Sequence, residues 1–424
     1  MAKNKVTAGI ELGSSKITTL IAHIDADPIG EDTNINIVGA ASSDSKGIRK
    51  GQIVDLEEAV EATIESVEAA ERMAGYNLGN ASVAIGGAHI SSLNTHGVVA
   101  VSDPGNEVNS ADIERVIEAA SAVQLPSSRE VIHILPREFI VDGEAGVKDP
   151  VGMSGVRLEV ETHLVTGSQA AIKNLRKVMN EVGINIDELI FSGIAASEAV
   201  LTKTEKELGC VLVDIGGGVT SIAVYIEGGL TYSSVIPIGS KNVTNDIAIG
   251  LRVSLENAEK IKVLISSEKE NSKKKIEVED DNLDLQAVGI TDSKKVSKKT
   301  LKEGIIRPRM NEIFTMVKLQ LEKEKLANQI PSGIIVTGGG AAVAGTEDSA
   351  KRMLGLPARI GSPKGIGGLV DDILTPAFAT PVGLILHATK NTEVSERGGF
   401  AGKLKLPVRG VAAKIIESIK DLLP

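Results

Sequence analysis

The first apolar positions of the chain fall in two short runs, residues 6–12 (VTAGIEL) and 17–22 (ITTLIA), separated by Gly13, Ser14, Ser15 and Lys16. Short apolar runs around a Gly/Ser-rich tetrad predict two strands and a tight turn, that is, a hairpin with a polar tip. A third strand is expected over 35–41. Residues 56–73 place apolar side chains at three- and four-residue steps among glutamates, which predicts an amphipathic helix. After Gly75 the texture changes. SVAIGG and HGVVAV alternate as strands do, and a helix opens at Ser110 with Asp112 and Glu114 in its first turn, so a small inserted α+β unit is expected over roughly 81–161.

From His163 an α/β rhythm returns: strand HLVT, helix 169–182, strand IDELIF, helix 194–203 and strand CVLVDI. Alternation of this kind predicts a mixed sheet covered by helices. Residues 266–303 break the rhythm, with Lys273, Lys274, Lys275, Lys294, Lys295, Lys298 and Lys299 set among acids and few apolar residues. They read as a solvated, partly mobile insertion. A charged helix over 309–326, strand GIIVT, the run Gly338–Gly340, an apolar helix over 377–388 and a polar linker follow.

One internal comparison carries chemistry. Ile10-Glu11-Leu12-Gly13-Ser14-Ser15 aligns with Val213-Asp214-Ile215-Gly216-Gly217-Gly218, each an apolar strand ending in acid-x-Gly, then small residues, then a second apolar strand. A single Gly-rich turn is weak evidence, because hairpins use glycine wherever φ must be positive. Two copies with a carboxylate in the same place predict two tips facing each other across a cleft, their backbone N–H groups aimed at a polyphosphate. Lys16 can place an ammonium on the same phosphates, while Glu11 and Asp214 can hold Mg²⁺ through water, since that ion keeps several of its own. Two ordinary hairpins with capping acids remain the plain alternative. Thr337-Gly338-Gly339-Gly340, followed by Ala341 and Ala342, offers bare backbone on which a base and ribose could lie.

Composition narrows the classes. The 424 residues suffice for two or three domains, and a net charge of −10 argues against broad binding to nucleic acid. With Phe 5, Tyr 3 and Trp 0 there is little with which to stack bases. The one cysteine, Cys210, lies in an apolar run and reads as a small buried hydrophobe, and the six histidines show no metal-ligand spacing. No segment reaches the ~18 apolar residues of a membrane span and the first residues lack a signal-peptide pattern, so a cytoplasmic protein is expected. The last residues differ from the rest. Val411, Ala412, Ile415, Ile419, Leu422 and Leu423 fall on one face of a helix expected over 410–424, and Lys403, Lys405, Arg409, Lys414 and Lys420 outnumber Glu417 and Asp421. That pairing suits an interfacial helix on anionic lipid, with Val411, Ile415, Ile419, Leu422 and Leu423 as the buried face, though a terminal helix docked on the core has the same periodicity.

The order of strand, two phosphate hairpins and late glycine loop resembles the actin, Hsp70 and sugar-kinase superfamily, with two RNase-H-like lobes around a nucleotide cleft. Within it, HILPREFIVDG, DPVGMSGVRLEVETHLVTG, ELIFSGIAASEAVLTKTEKELG, VDIGGGVTSIAVY, TNDIAIG, GIIVTGGGAAVAG and ATPVGLILHA resemble the FtsA family of bacterial division proteins. The resemblance implies lobe 1 over 1–80 and 162–205, an inserted subdomain 1C over 81–161, and lobe 2 over 206–389 with subdomain 2B at about 242–308. A linker over 390–409 and the amphipathic helix would complete the chain. It further implies ATP with Mg²⁺, filaments of the protein itself, contact with the tail of the tubulin-like ring protein FtsZ, recruitment of later division proteins, and a peripheral place on the inner face of the membrane at the division site. Glu11, Gly13, Ser14, Ser15 and Lys16 would form the first phosphate motif, Asp214, Gly216, Gly217 and Gly218 the second, and Gly338, Gly339 and Gly340 the adenosine loop. Glu259 and Lys262, one helical step apart, would flank ribose and base. Hydrolysing relatives carry a Gln or Glu in the helix after IDELIF, whereas this chain reads Phe191-Ser192-Gly193-Ile194-Ala195-Ala196, which implies slow hydrolysis and ATP as a structural ligand. A pilus-type adaptor or a small-molecule kinase of the same superfamily are the alternatives.

Overall fold

The computed structural model describes residues 5–25, 34–267, 281–283, 285–286, 289, 296–369 and 373–396, the last six of these by backbone alone. The helix expected over 410–424, its five apolar residues and most of its linker lie outside the described residues.

Two sheets share one plan. In the first the spatial order is Asn185–Phe191, Asn80–Ile85, Lys5–Leu12, Lys16–Asp25, Asn34–Asp44 and Gly367–Gly368; in the second it is Gly229–Ile236, Thr220–Ile226, Cys210–Ile215, Ile334–Thr337 and Ala358–Ile360. Each begins as an antiparallel meander of three strands, then adds two strands parallel to the first. Strands covered on both faces need unbroken apolar character, and all six residues of Cys210–Ile215 are buried. The expected pair of lobes is therefore present, with shifted bounds. Asn80–Ile85 and Gly367–Gly368 complete the first lobe's sheet, the inserted sheet runs on to Ser168, and Val382, Leu384 and Ile385, expected in lobe 2, pack in the core with Ile10 and Leu20.

Local signals set the helices. Leu56–Ala74 starts where the Asp55 carboxylate accepts the Glu58 N–H at 3.1 Å, and it stops at Gly75 in the left-handed region. The helix expected over 194–203 is instead two, Ser192–Val200 and Lys203–Leu208. Thr202 interrupts it by forming a capping box with Glu205, at 2.8 and 3.2 Å, and Arg359 grips the Glu205 carboxylate while donating to the Val200 carbonyl at 2.9 Å. The charged insertion also departs from expectation. Leu283, Leu285, Val296 and Leu301 are buried in the lobe 2 core, so its described part is anchored by sparse apolar residues rather than wholly solvated.

The inserted unit is a sheet ordered Ser91–Ala100, Arg157–Ser168, Arg129–Val141 and Glu144–Val147, with the helix Ser110–Ser121 over one face and its own core of Val116, Ile117, Phe139, Leu158 and Leu164. It is spliced into lobe 1 yet bonded to lobe 2. Ser92 Oγ donates to the Ser233 carbonyl at 2.7 Å and accepts the Ser233 N–H at 3.1 Å, and Asn94 Nδ2 donates to the Thr231 carbonyl at 3.1 Å. Between them His163 sits 2.6 Å from Asn94 Oδ1 and 3.0 Å from Ser233 Oγ. Burial, helped by nearby Arg137 and His133, pushes its pKa down to about 3, so the ring is a neutral strut.

The last helix, Ala379–Glu396, crosses Ser192–Val200 and is fastened at its far end. Lys206 Nζ lies 2.7 Å from Glu198 Oε1, and Lys390 pairs with Glu198 Oε2. Burial alone would raise the Glu198 pKa, but the two ammonium groups outweigh it and hold the carboxyl well below its usual range. Glu198→Gln is expected to cost about 2 kcal/mol near neutral pH, less than a fully buried pair because Lys390 reaches water. A depressed carboxyl gives its full stabilisation above its ordinary value of 4.5 and loses it progressively below, so the gap between variant and wild type should narrow as pH falls below that value. Thermal midpoints measured across pH 3 to 7 check both.

Candidate nucleotide cleft

The two hairpins superpose in register as well as in sequence. Glu11 pairs with Thr18 and Asp214 with Ser221; Gly13 N–H donates to the Lys16 carbonyl at 3.1 Å, and Gly216 N–H to the Val219 carbonyl at 2.9 Å. Lys16 thus occupies the position of Val219, and the repeat differs there by one cation. The tips meet: a Cβ on Gly217 would lie 2.8 Å from Ser15 Cβ, and one on Gly218 2.9 Å from Ser14 Cβ. Lys241 Nζ, from the helix Ser240–Leu251, donates across the cleft to the Ser14 carbonyl at 2.7 Å, and Ser14 Oγ accepts the Gly51 N–H at 2.8 Å.

A cavity of about 460 Å³ lies between the lobes. Glu11, Gly13, Ser14, Ser15, Lys16, Asp214, Gly216, Gly217, Gly218, Glu259, Lys262, Gly338 and Gly339 all line it. Gly340 is instead buried beneath the loop, where a Cβ would strike Ile215 Cγ2 at 2.3 Å. Gly338 has φ +82, and a Cβ there would lie 2.2 Å from Asp214 Oδ1, so only glycine lets this loop close over the second acid. The second tip and the loop present Gly216, Gly217, Gly218, Gly338 and Gly339 to the cavity, which leaves backbone facing it there, while the first tip adds Ser15 and Lys16.

The acids are electrostatically crowded. Burial first and the neighbouring Asp214 second push Glu11 up to about 8, with Lys16 opposing. Burial raises Asp214 to about 6, against the Thr380 hydroxyl that donates to Oδ2 at 3.4 Å. Burial lowers the Lys16 pKa while Glu11 resists. Two desolvated carboxyls side by side are a site that gains from a cation. Among the described residues no three acid, His or Cys side chains gather as a metal site.

At the far end Glu259 and Lys262 come from the helix Leu255–Ser267. Lys262 Nζ lies 2.7 Å from Glu259 Oε2 and 3.0 Å from Thr244 Oγ1. One turn on, Ser266 Oγ accepts the Ala344 N–H at 3.1 Å, clasping this helix to the glycine loop, while Val263 and Val343 offer apolar walls. Sequence reading passed over Lys241, Thr380 and Ser266, none of which has a local signature. It also passed over Phe378, whose ring lies under the Lys16 ammonium at 3.4 Å.

Two family models match, one described as the SHS2 domain inserted in FTSA over residues 87–166, the other as cell division protein FtsA over 211–383. The cell division protein FtsA of Pseudomonas aeruginosa is 38% identical over 383 residues, spanning 90% of this chain and 89% of that protein. The chain belongs to the FtsA family. FtsA of Borreliella burgdorferi is 36% identical with 96% of each chain covered, and FtsA of Escherichia coli K12 is 36% identical with 92% of each covered. The fold is actin-like. MreB 5 of Spiroplasma citri bound to AMPPNP matches with a TM-score of 0.54 at 15% identity, covering 93% of this chain and 99% of that one. A PilM-PilN type IV pilus biogenesis complex matches at 0.61 and 16%, covering 90% and 97%. The SHS2 match falls on the inserted sheet that docks against lobe 2. As an FtsA-family member the chain is a cell-division protein, and no helix among its described residues is long and apolar enough to cross a membrane.

Proposed function

We propose that this protein binds ATP with Mg²⁺ in the cleft, polymerises, and tethers the FtsZ ring to the inner face of the cytoplasmic membrane through residues 410–424, where it recruits later division proteins. The observation that carries the nucleotide part is the pair of registered hairpins with Glu11 and Asp214 at equivalent positions around one cavity. In this reading the tips and Lys16 bind the phosphates, Glu11 and Asp214 hold the ion through water, and the base lies between Val263 and the Gly338 loop, with Glu259 and Lys262 at the ribose. Mg²⁺ supplies charge neutralisation of the polyphosphate when bound. Residues 191–196 bring no amide or carboxylate to the cleft, only Ser192, whose hydroxyl lies 3.1 Å from that of Ser221. Positioning of water is therefore poor, and turnover should fall well below the ~10 per second of a median enzyme.

Support for the tether is the cationic, amphipathic pattern of the last residues together with family membership. A short helix without Trp or Phe binds lipid weakly alone and strongly when many are linked in a filament. Co-sedimentation with anionic liposomes in Mg-ATP, comparing the full chain with one truncated after Pro407, should pellet only the full chain. Equal pelleting of both would remove the tether. Binding to an FtsZ tail peptide separates this reading from a pilus-type adaptor.

A further inference from the structure

We propose that Phe378 is a positioning residue for phosphate recognition: its ring face holds the Lys16 ammonium in the cleft without neutralising it, and the turn that carries it ties that ammonium to the glycine loop of the opposite lobe. The proposal rests on the nucleotide reading above and adds to it a residue outside the phosphate and adenosine motifs.

Lys16 Nζ stands 3.4 Å from the centroid of the Phe378 ring, well inside the ~6 Å range of a cation–π contact. In a chain with Phe 5, Tyr 3 and Trp 0, an aromatic ring against this one cation is a scarce resource spent at the cleft. The alternative holder for the ammonium is Glu11, close enough for each group to perturb the other. A lysine on a flexible four-carbon stem that collapses onto a carboxylate spends its charge there, whereas a ring attracts it through its quadrupole and leaves the full charge for an incoming anion. The ring is itself fixed. Phe378 ends the turn Pro376–Phe378, its N–H donates to the Thr375 carbonyl at 3.0 Å, and the Pro376 carbonyl accepts the Gly338 N–H at 3.0 Å. One short turn thus joins the phosphate cation of the first hairpin to the loop on which the base would lie.

A double-mutant cycle with adenosine, ADP and ATP in Mg²⁺, competed against a fluorescent ATP analogue, tests this. Phe378→Leu should weaken ADP and ATP by roughly threefold to thirtyfold while leaving adenosine within about twofold, and Phe378→Tyr should restore wild-type affinity. In a Lys16→Ala background Phe378→Leu should have no further effect. Equal loss in both backgrounds, an adenosine loss as large as that for ATP, or failure of tyrosine to rescue would overturn the proposal while leaving the nucleotide reading intact. Retained adenosine binding reports that the variants are folded. A wild-type protein that binds none of the three ligands would overturn the nucleotide reading itself, and this assignment with it.

Discussion

Gly383→Ala is expected to destabilise the protein by about 3 kcal/mol or more, and Gly383→Val to prevent recovery of folded protein. Gly383 lies where the last helix crosses the connecting helix Ser192–Val200, and a Cβ there would stand 1.7 Å from the Ala195 carbonyl oxygen. Replacing a helical glycine by alanine ordinarily gains about 1 kcal/mol. Here the obstacle is backbone, and the helix behind it cannot retreat because Ala195 and Ala196 are wholly buried in the lobe 1 core. Overlap therefore wins over propensity. The control is Gly304→Ala, whose Cβ would meet only Thr300 Cγ2 at 3.9 Å and which should be neutral or slightly stabilising. Urea unfolding of the two variants decides the matter: a Gly383→Ala midpoint equal to wild type would mean that the two helices do not cross this closely.

The second large effect is pH dependence in the cleft. Glu11 and Asp214 titrate near 8 and 6 in the fold, against ordinary values of 4.5 and 3.8. Between its ordinary and its raised value such a group binds more protons in the folded than in the unfolded chain. The contribution of these two acids to the stability of the ligand-free protein should therefore be greatest below pH 4 and decline as pH climbs toward 8. Glu11→Gln keeps the shape without the titration, so its thermal midpoint should fall less with pH and exceed wild type at pH 8 by the equivalent of about 2–4 kcal/mol. With Mg-ATP the order is expected to reverse. A cation beside the acids favours their ionised forms, so wild-type affinity should rise between pH 6 and 8 while the glutamine variant loses most of its Mg²⁺ dependence. Parallel midpoint profiles for the two proteins without ligand would show that Glu11 is an ordinary acid.

Much of this arrangement was legible in the residues because it is local. The hairpins announce themselves by apolar runs around small residues, and their equivalence by acid-x-Gly at matching places, which the registers Glu11–Thr18 and Asp214–Ser221 reproduce. What was not legible is what the chain brings together from afar. Phe378 and Lys16 share no periodicity, and Thr202 stops a helix that apolar spacing alone carries on to residue 203. Averaged composition also misled. In the lysine-rich insertion the few leucines and Val296 are the ones that reach the core, and a window dominated by charge hides them.

The bonds from Ser92 and Asn94 to Thr231 and Ser233 have a consequence for assembly. Gly229–Ile236 is an outer strand of its sheet, and an outer strand with open N–H and carbonyl groups is a template on which another chain can add its own. Here the Thr231 carbonyl and both backbone groups of Ser233 are already satisfied by side chains of the inserted unit, so the middle of this margin is closed to an added strand. A second chain that approaches this margin must therefore meet it through side-chain surfaces, and such a contact is reversible in a way that a continuous sheet is not.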